Sequence, residues 1–325
     1  MKRLSAIIIA ATLAACTSAS AQDFSIVGRL DYPFDYNIYT FFEGEIGEHV
    51  SYSFSNHWLT KDPKRLYENT WRSYDINWCD WANFTFTFGN LAITAGKDML
   101  LTGSNEEVPN DVDNYAMLCS EFWNCYQVYQ WGGKIAYTFP AINTTFEAQL
   151  SSSPLDEKPF SYGGTLSFGI SGEYGIYSPH LTANFIKYDT SVFDAESVAV
   201  SDKYCIFTLG NLFTVNDDLS IFLDYTFCHN KPVSNTHHFV LGSDWRILDH
   251  LALKVKGGYE FGDNLVENLL GLPDKSWFAG AMLQIYPLKT DDLRVHVGGC
   301  YRTDYDEYIN VGITYNFNIT DLFRK

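Results

Sequence analysis

The stretch "EYINVGITYNFNIT", Glu307–Thr320, decides the fold. Taken two residues at a time it separates into two lists. Ile309, Val311, Ile313, Tyr315 and Phe317 are apolar or aromatic, whereas Asn310, Gly312, Thr314, Asn316 and Asn318 are small or polar. Side chains on a β-strand point alternately to opposite faces, so this stretch is a strand with one greasy face and one wet face. The same alternation recurs along the chain. Val50, Tyr52, Phe54 and Trp58 stand against Ser51, Ser53, Ser55 and His57. Tyr129, Trp131, Ile135, Tyr137 and Phe139 stand against Gln130, Gly132, Lys134, Ala136 and Thr138. Leu166, Phe168 and Ile170 oppose Thr165, Ser167 and Ser171, and Ile221, Leu223, Tyr225 and Phe227 oppose Ser220, Asp224 and Thr226. Leu251, Leu253, Val255, Tyr259 and Phe261 oppose Lys254, Lys256 and Glu260, and Val295, Val297 and Tyr301 oppose Arg294, His296 and Arg302. Each segment is about 9–13 residues, the length of a tilted strand that crosses a bilayer.

The connections alternate as well. Gly47-Glu48, Gly89-Asn90, Pro140 to Asn143, Asn216 to Asp218, Asp249-His250 and Thr290 to Asp292 read as short turns. Long polar loops cover 60–80, 101–126, 190–200 and 262–274. Short turns at one end and long loops at the other are the layout of an all-β transmembrane antiparallel barrel. Counting back from the last strand gives sixteen, beginning near Phe24. A soluble antiparallel protein would carry Val, Ile and Leu on its buried faces; here Tyr, Phe and Trp gather near segment ends, as in interfacial girdles. The Ile309–Phe317 face is therefore expected to meet lipid, and the asparagine face to meet water.

The start of the chain fits export. Lys2 and Arg3 precede an apolar stretch from Leu4 to Ala15, and Ala19-Ser20-Ala21 offers a cleavage site. Residues 1–21 read as a signal peptide and 22–325 as one barrel domain. Leu13 to Cys16 also fits a lipoprotein signal in which Cys16 carries lipid; the A-x-A site competes with it. No later stretch holds the roughly 20 apolar residues of a spanning helix. The chain carries 22 Lys+Arg against 39 Asp+Glu, and losing the two leader bases brings the charge to about −19. That acidity argues against nucleic acid as a partner. Aromatics make up 17% of the residues, with 22 Tyr and 24 Phe, yet the mean hydropathy is only −0.14. Alternating lipid-facing and water-facing side chains reconcile the two.

Several stretches resemble the phosphate-selective porin O/P family of Gram-negative outer membranes. They are Ser55-Asn56-His57-Trp58-Leu59, "NTWRSYDINWCDW" (69–81), "GNLAITAGKD" (89–98), "WNCYQVYQWGGK" (123–134) and "SSPLDEKPF" (152–160). The likeness covers roughly residues 36–320. It implies a sixteen-stranded homotrimer in the outer membrane that passes phosphate by lysines at a constriction, below a ladder of arginines. The chain departs from that pattern in having few arginines, no dense arginine run and acidic long loops. Lys97, in the "GKD" stretch, is the position the resemblance carries over as pore-related.

Sixteen strands enclose a water-filled channel. Loop 101–126 carries Glu106, Glu107, Asp111, Asp113 and Glu121 and no Lys or Arg. It is expected to fold into the lumen and face a basic wall of Arg246, Lys254, Lys256, Arg294 and Arg302, with Lys134 also pore-lining. Standing outside as a solvated acidic surface is its alternative. Small polar solutes or ions are the expected cargo, membrane lipid and the barrel-assembly machinery the expected partners. Phe317 suits an assembly signal, though eight residues follow it. Asp62-Pro63 followed by Tyr67, Trp71, Tyr74 and Trp78 reads as a capped helix with an aromatic stripe, which either latches a neighbouring subunit or packs over its own rim.

Two candidate disulfides are Cys119–Cys125, within one loop, and Cys205–Cys228, equidistant from a turn centred on Asn216-Asp217; free thiols are the alternative. No catalytic residues, metal ligands or cofactor are expected. Ser243 and Asp244 lie close to His237 and His238, but neighbouring strand residues point apart, and His57, His180 and His296 are scattered singles. An outer-membrane hydrolase and a plugged binding barrel are the rival readings, although no separate plug precedes the first strand. One solution property follows from the alternation alone: the purified mature chain requires detergent or lipid, and a folded monodisperse species sedimenting in plain buffer would contradict a bilayer-facing surface.

Overall fold

The structure is a computed structural model and describes residues 21–32, 35–60, 79–106, 120, 128–156, 159–189, 202–230, 234–264, 275–303 and 305–320. Sixteen strands follow one another in chain order. They are β1 (Ala21–Tyr32), β2 (Asp35–Ile46), β3 (Val50–Thr60), β4 (Cys79–Phe88), β5 (Leu91–Met99), β6 (Tyr129–Phe139), β7 (Thr144–Ser152) and β8 (Gly164–Gly172) in the first half. The second half holds β9 (Tyr177–Lys187), β10 (Lys203–Asn216), β11 (Leu219–Asn230), β12 (Ser234–Leu248), β13 (Leu251–Asn264), β14 (Lys275–Ile285), β15 (Leu293–Arg302) and β16 (Tyr305–Asn318). Every strand pairs antiparallel with its sequence neighbours, and β1 pairs with β16, so the sheet is a closed barrel.

Closure is made by the stretch that opened the sequence reading. Ile26 pairs with Phe317, Gly28 with Tyr315 and Leu30 with Ile313. The two faces separate as the alternation requires. Ile309 is 65% exposed and Tyr315 47%, whereas Asn310 is 4% and Thr314 8%. Around the barrel the same outward row continues through Phe84, Phe86, Ile135, Leu166, Phe168, Leu181, Leu209, Leu241 and Val297, all exposed. A row of large apolar side chains on the outside of a cylinder is stable only against another apolar medium. Tyr52 belongs to this row yet is nearly covered, because Phe42, Phe54 and Phe84 close around its ring.

The turns at one end are tight. Gly47 and Gly89 take positive φ of 64° and 59° there, which glycine adopts without a Cβ clash. A single 3₁₀ turn, Pro140–Ile142, joins β6 to β7. The β10–β11 hairpin corrects one expectation. Its turn is Asp217-Asp218, and a bulge between Thr214 and Asn216 shifts the register. Cys205 consequently pairs with His229 and Cys228 with Ile206. A one-residue slip sends a side chain to the other face, so Cys205 is outward with Phe207 and Cys228 inward with Ile206. Both are free thiols, as is Cys300. Cys119 and Cys125, and the aromatic stripe of 62–78, lie outside the described residues.

Substituting Ile313→Arg, which sets a cation on the outer row, should destabilise the barrel in lipid vesicles by up to about 2–4 kcal/mol, depending on its depth. Ile313→Val should leave the denaturant midpoint almost unmoved, and equal midpoints for the two variants would place that face away from lipid.

Candidate functional site

The lumen is not empty. After β5 the chain turns inward, and the segment from Leu100 to Glu106 lies against the inner wall with every residue buried. Its backbone is held residue by residue. Leu100 donates to the Val128 carbonyl at 2.8 Å. The Leu101 amide donates to Gln149 Oε1 on β7 at 2.9 Å. On β9, Asn184 Nδ2 donates to the Leu101 carbonyl at 2.9 Å and Thr182 Oγ1 to the Thr102 carbonyl at 2.8 Å.

The tightest point is Asp224 on β11. Its carboxylate accepts from Ser104 Oγ at 2.7 Å, from the Asn105 amide at 2.5 Å and from Asn105 Nδ2 at 2.9 Å. Charge-assisted bonds of this kind are the stronger ones. Two glycines make the approach possible. Gly103 has φ +71°, and a Cβ there would stand 2.6 Å from Thr182 Oγ1. A Cβ on Gly210 of β10 would stand 2.1 Å from the Gly103 carbonyl oxygen. The wall thus has a glycine where the segment's backbone rests and a carboxylate where its amides point.

Glu106 ends the described segment. Its carboxylate accepts from the Ser120 amide at 2.6 Å and Ser120 Oγ at 2.7 Å, and lies 3.8 Å from Lys256 Nζ on β13. Burial pushes the Glu106 carboxyl above the usual carboxylate range, while the Lys256 ammonium and the Ser120 hydrogen bonds pull it back down. The segment and the wall therefore meet through opposite charges out of solvent, where the attraction is least screened.

Of the residues singled out in the sequence, the structure joins Glu106 to Lys256. The others find partners within the wall. Lys134 pairs with Asp98 at 2.9 Å and Lys254 with Asp244 at 2.7 Å. Arg246 reaches Asp291 at 3.1 Å at the short-turn rim and stacks over the Tyr286 ring. Arg302 donates to Glu260 at 2.7 Å, and Glu260 also meets His238 Nδ1 at 2.5 Å. Arg294 donates to Thr314 at 3.4 Å. Lys97 is buried, and its ammonium donates to the Cys79 carbonyl of the adjacent strand at 2.6 Å. Glu107, Asp111 and Asp113 lie outside the described residues. The histidine pair is split: His238 faces Glu260, whereas His237 sits among the rings of Tyr225, Phe227 and Phe261.

Two features of the site have little or no signature in the sequence. Asp224 passed as one polar residue among others, with nothing in its neighbours to mark it as an anchor. The second is an apolar cluster on the inner wall, made by Phe222, Val240, Phe278 and Met282 with Leu212 and Cys300 beside it. Phe222 lies over Gly242 and Phe278 over Gly258, positions at which a Cβ would meet the rings at 2.2 and 2.4 Å. Its signal was present: around Phe222 and Phe278 the chain is apolar on both steps of the alternation.

No family model and no curated protein matches the chain. Solved structures do. OmpF of Salmonella typhi, in complex with daunomycin, is 13% identical with a TM-score of 0.62, over 91% of this chain and 97% of that one. The outer membrane channel DcaP of Acinetobacter baumannii is 12% identical at a TM-score of 0.60, over 91% and 96%. OmpT of Vibrio cholerae, an outer membrane protein in a trimer form, is 8% identical at 0.58, over 92% and 98%. At these identities the likeness is one of fold.

Asp224→Ala should loosen the seat, since each lost bond to a buried carboxylate is worth about 1.5–3 kcal/mol. Gly210→Val should do the same by collision. Both variants are expected to make the loop after β5 more sensitive to protease on the intact barrel; unchanged cleavage in both would mean the seat does not hold the loop.

Proposed function

We propose that the chain is a porin of a Gram-negative outer membrane, a passive channel for small polar or charged solutes. The observation that carries this reading is the Leu100–Glu106 segment seated inside a closed sixteen-stranded barrel. A cylinder of this strand number leaves room for water, and a segment fixed within it narrows the passage. The fold shared with the DcaP channel and OmpF supports the same reading. Carboxylate and ammonium groups on both sides of the passage favour solutes that keep ordered water, and a dry apolar solute is disfavoured.

The anion and phosphate preference implied by the family resemblance needs uncompensated positive charge along the path. Lys134, Lys254, Lys256, Arg246 and Arg302 each have a carboxylate partner instead. The channel therefore discriminates only weakly by charge. Association as a homotrimer is part of the proposal; the trimer form of the Vibrio cholerae protein supports it, as does the general preference of oligomers for closed symmetry.

Purified trimer in a planar bilayer should give steady ohmic openings, a reversal potential close to zero in a potassium chloride gradient, and no block by phosphate. Asp224→Ala should raise the single-channel conductance. Silence of the wild-type barrel would overturn the channel reading in favour of a plugged barrel, and a large anion potential with phosphate block would restore the phosphate preference.

A further inference from the structure

The lumen carries a second feature, on the wall across from the seated segment. Leu100–Glu106 takes its side-chain partners from β7, β9, β11 and β13. In the closed ring β2 lies half a turn from β10, and β3 half a turn from β11. Phe41 on β2 stands as many residues from the Gly47 turn as Asp224 on β11 stands from the Asp218 turn. Both turns belong to the short-turn rim, and strands rise by a constant step per residue. Phe41 is therefore set across the lumen from the Asp224 seat, at about its height.

The register points Phe41 inward. Asn318 of the water-facing row pairs with Ser25, Ser25 with Phe41, Phe41 with Ser55 and Ser55 with Trp81. The inward neighbours Ser25, Ser53, Ser55, Asn83 and Thr85 are small or polar. Against them the rings form a row. Tyr39 and Phe41 are stacked with centroids 6.2 Å apart, and Phe41 and Trp81 are 5.7 Å apart and tilted by 39°. Phe41 and Trp81 are half-buried, whereas Phe222 and Phe278 of the inner apolar cluster are 0% and 1% exposed. The cluster fills space over its glycines; the Phe41 row keeps ring surface open to the lumen. Apolar area left in water is unfavourable, and a ligand laid on it removes that cost.

The row also has a polar edge. Trp81 Nε1 donates to Ser53 Oγ at 2.7 Å, and Ser53 Oγ donates to Glu43 Oε1 at 2.9 Å. This relay fixes the indole and uses one oxygen of Glu43, whose side chain is exposed. The second carboxylate oxygen is left to accept from a ligand.

We propose that Tyr39, Phe41 and Trp81 form a stacking platform for saccharides crossing the lumen, with Glu43 accepting from sugar hydroxyls. The proposal rests on the channel reading above and names a solute class for it. A pyranose ring presents a C–H face that lies flat on an aromatic ring and hydroxyl groups around its edge that require partners. Apolar rings beside a few placed polar groups are the lining that such a solute needs. An anion would be repelled by Glu43, and a wholly apolar solute would bury its carboxylate unpaired.

The test uses the full-length barrel and a linear glucose oligosaccharide, maltohexaose. In a planar bilayer maltohexaose should interrupt the wild-type ion current reversibly and saturably. Trp81→Leu and Phe41→Leu keep apolar bulk but remove a ring, and each should weaken the blocking constant by about tenfold, the scale of one lost ring contact. Trp81→Phe restores a ring and should lose less. Phe84→Leu, on the lipid face, should lose nothing. Equal block in the wild type and both leucine variants would mean sieving by the pore and would overturn the platform. Block by benzyltrimethylammonium without block by maltohexaose would assign the rings to cations and overturn the saccharide class. A conducting wild type with no block would overturn the inference while the channel reading stands. A silent wild type would remove the channel reading, and calorimetric titration then decides the platform. Maltohexaose is titrated into the barrel in a polyoxyethylene detergent, which carries no sugar. Binding heat that is lost in the leucine variants upholds the platform, and absence of heat in the wild type overturns it.

Discussion

Everything in this molecule depends on one demand of the backbone. Each strand presents amide and carbonyl groups along both edges, and hydrocarbon offers them no partner. An open sheet of sixteen strands would leave two raw edges in the lipid. Pairing β1 with β16 removes both. Once the cylinder is closed, the period of two along each strand sorts side chains without further instruction. Ile309, Val311 and Ile313 go out, and Asn310 and Thr314 go in. Antiparallel order sends successive connections to alternate ends of the barrel, with the tight glycine turns at one of them.

The closed wall creates an interior that is too wide for side chains to fill. The protein answers by returning part of its own chain to that space. A backbone laid in a lumen carries unpaired polar groups, so it is stable only where the wall supplies partners. The inner faces of β7, β9 and β11 do so with Gln149, Asn184, Thr182 and Asp224. The glycine at 210 supplies the space. Glu106 then carries the contact to Lys256, so that the side-chain polar contacts of one short segment fall on β7, β9, β11 and β13. This is a stiff arrangement: the bonds to Asp224 are short, the groups are buried, and Glu106 stands 3.8 Å from Lys256.

The wall from β11 to β14 also carries an apolar cluster. Phe222, Val240, Phe278 and Met282 pack together, and the phenyl rings take the space where Gly242 and Gly258 have no side chain. The lumen is therefore two-sided, with a packed apolar floor on part of its circumference and paired charges around it. The buried group of His238, Glu260 and Arg302 belongs to the same region. Each buried charge there has an opposite charge beside it, which a low-dielectric setting requires.

The amino-acid order was sufficient for the cylinder. Strict alternation in Glu307–Thr320 and its repeats, the even spacing of short turns, and the aromatic share set the strand number, the antiparallel order and the face that meets lipid, because all three depend on local periodicity. The acidic composition of loop 101–126 raised the expectation of an inward contact with a basic wall; among the described residues, Glu106 stands 3.8 Å from Lys256. The tertiary structure alone decided which residues meet. Asp224 lies about 120 residues from the amides it holds, and no local pattern encodes such a distance. The bulge near Val215 moved Cys205 and Cys228 to opposite faces, and a single extra residue leaves no trace in a count of spacings. Partner choice in a barrel is set by register and by what the lumen can accommodate, and both exist only after the sheet has closed.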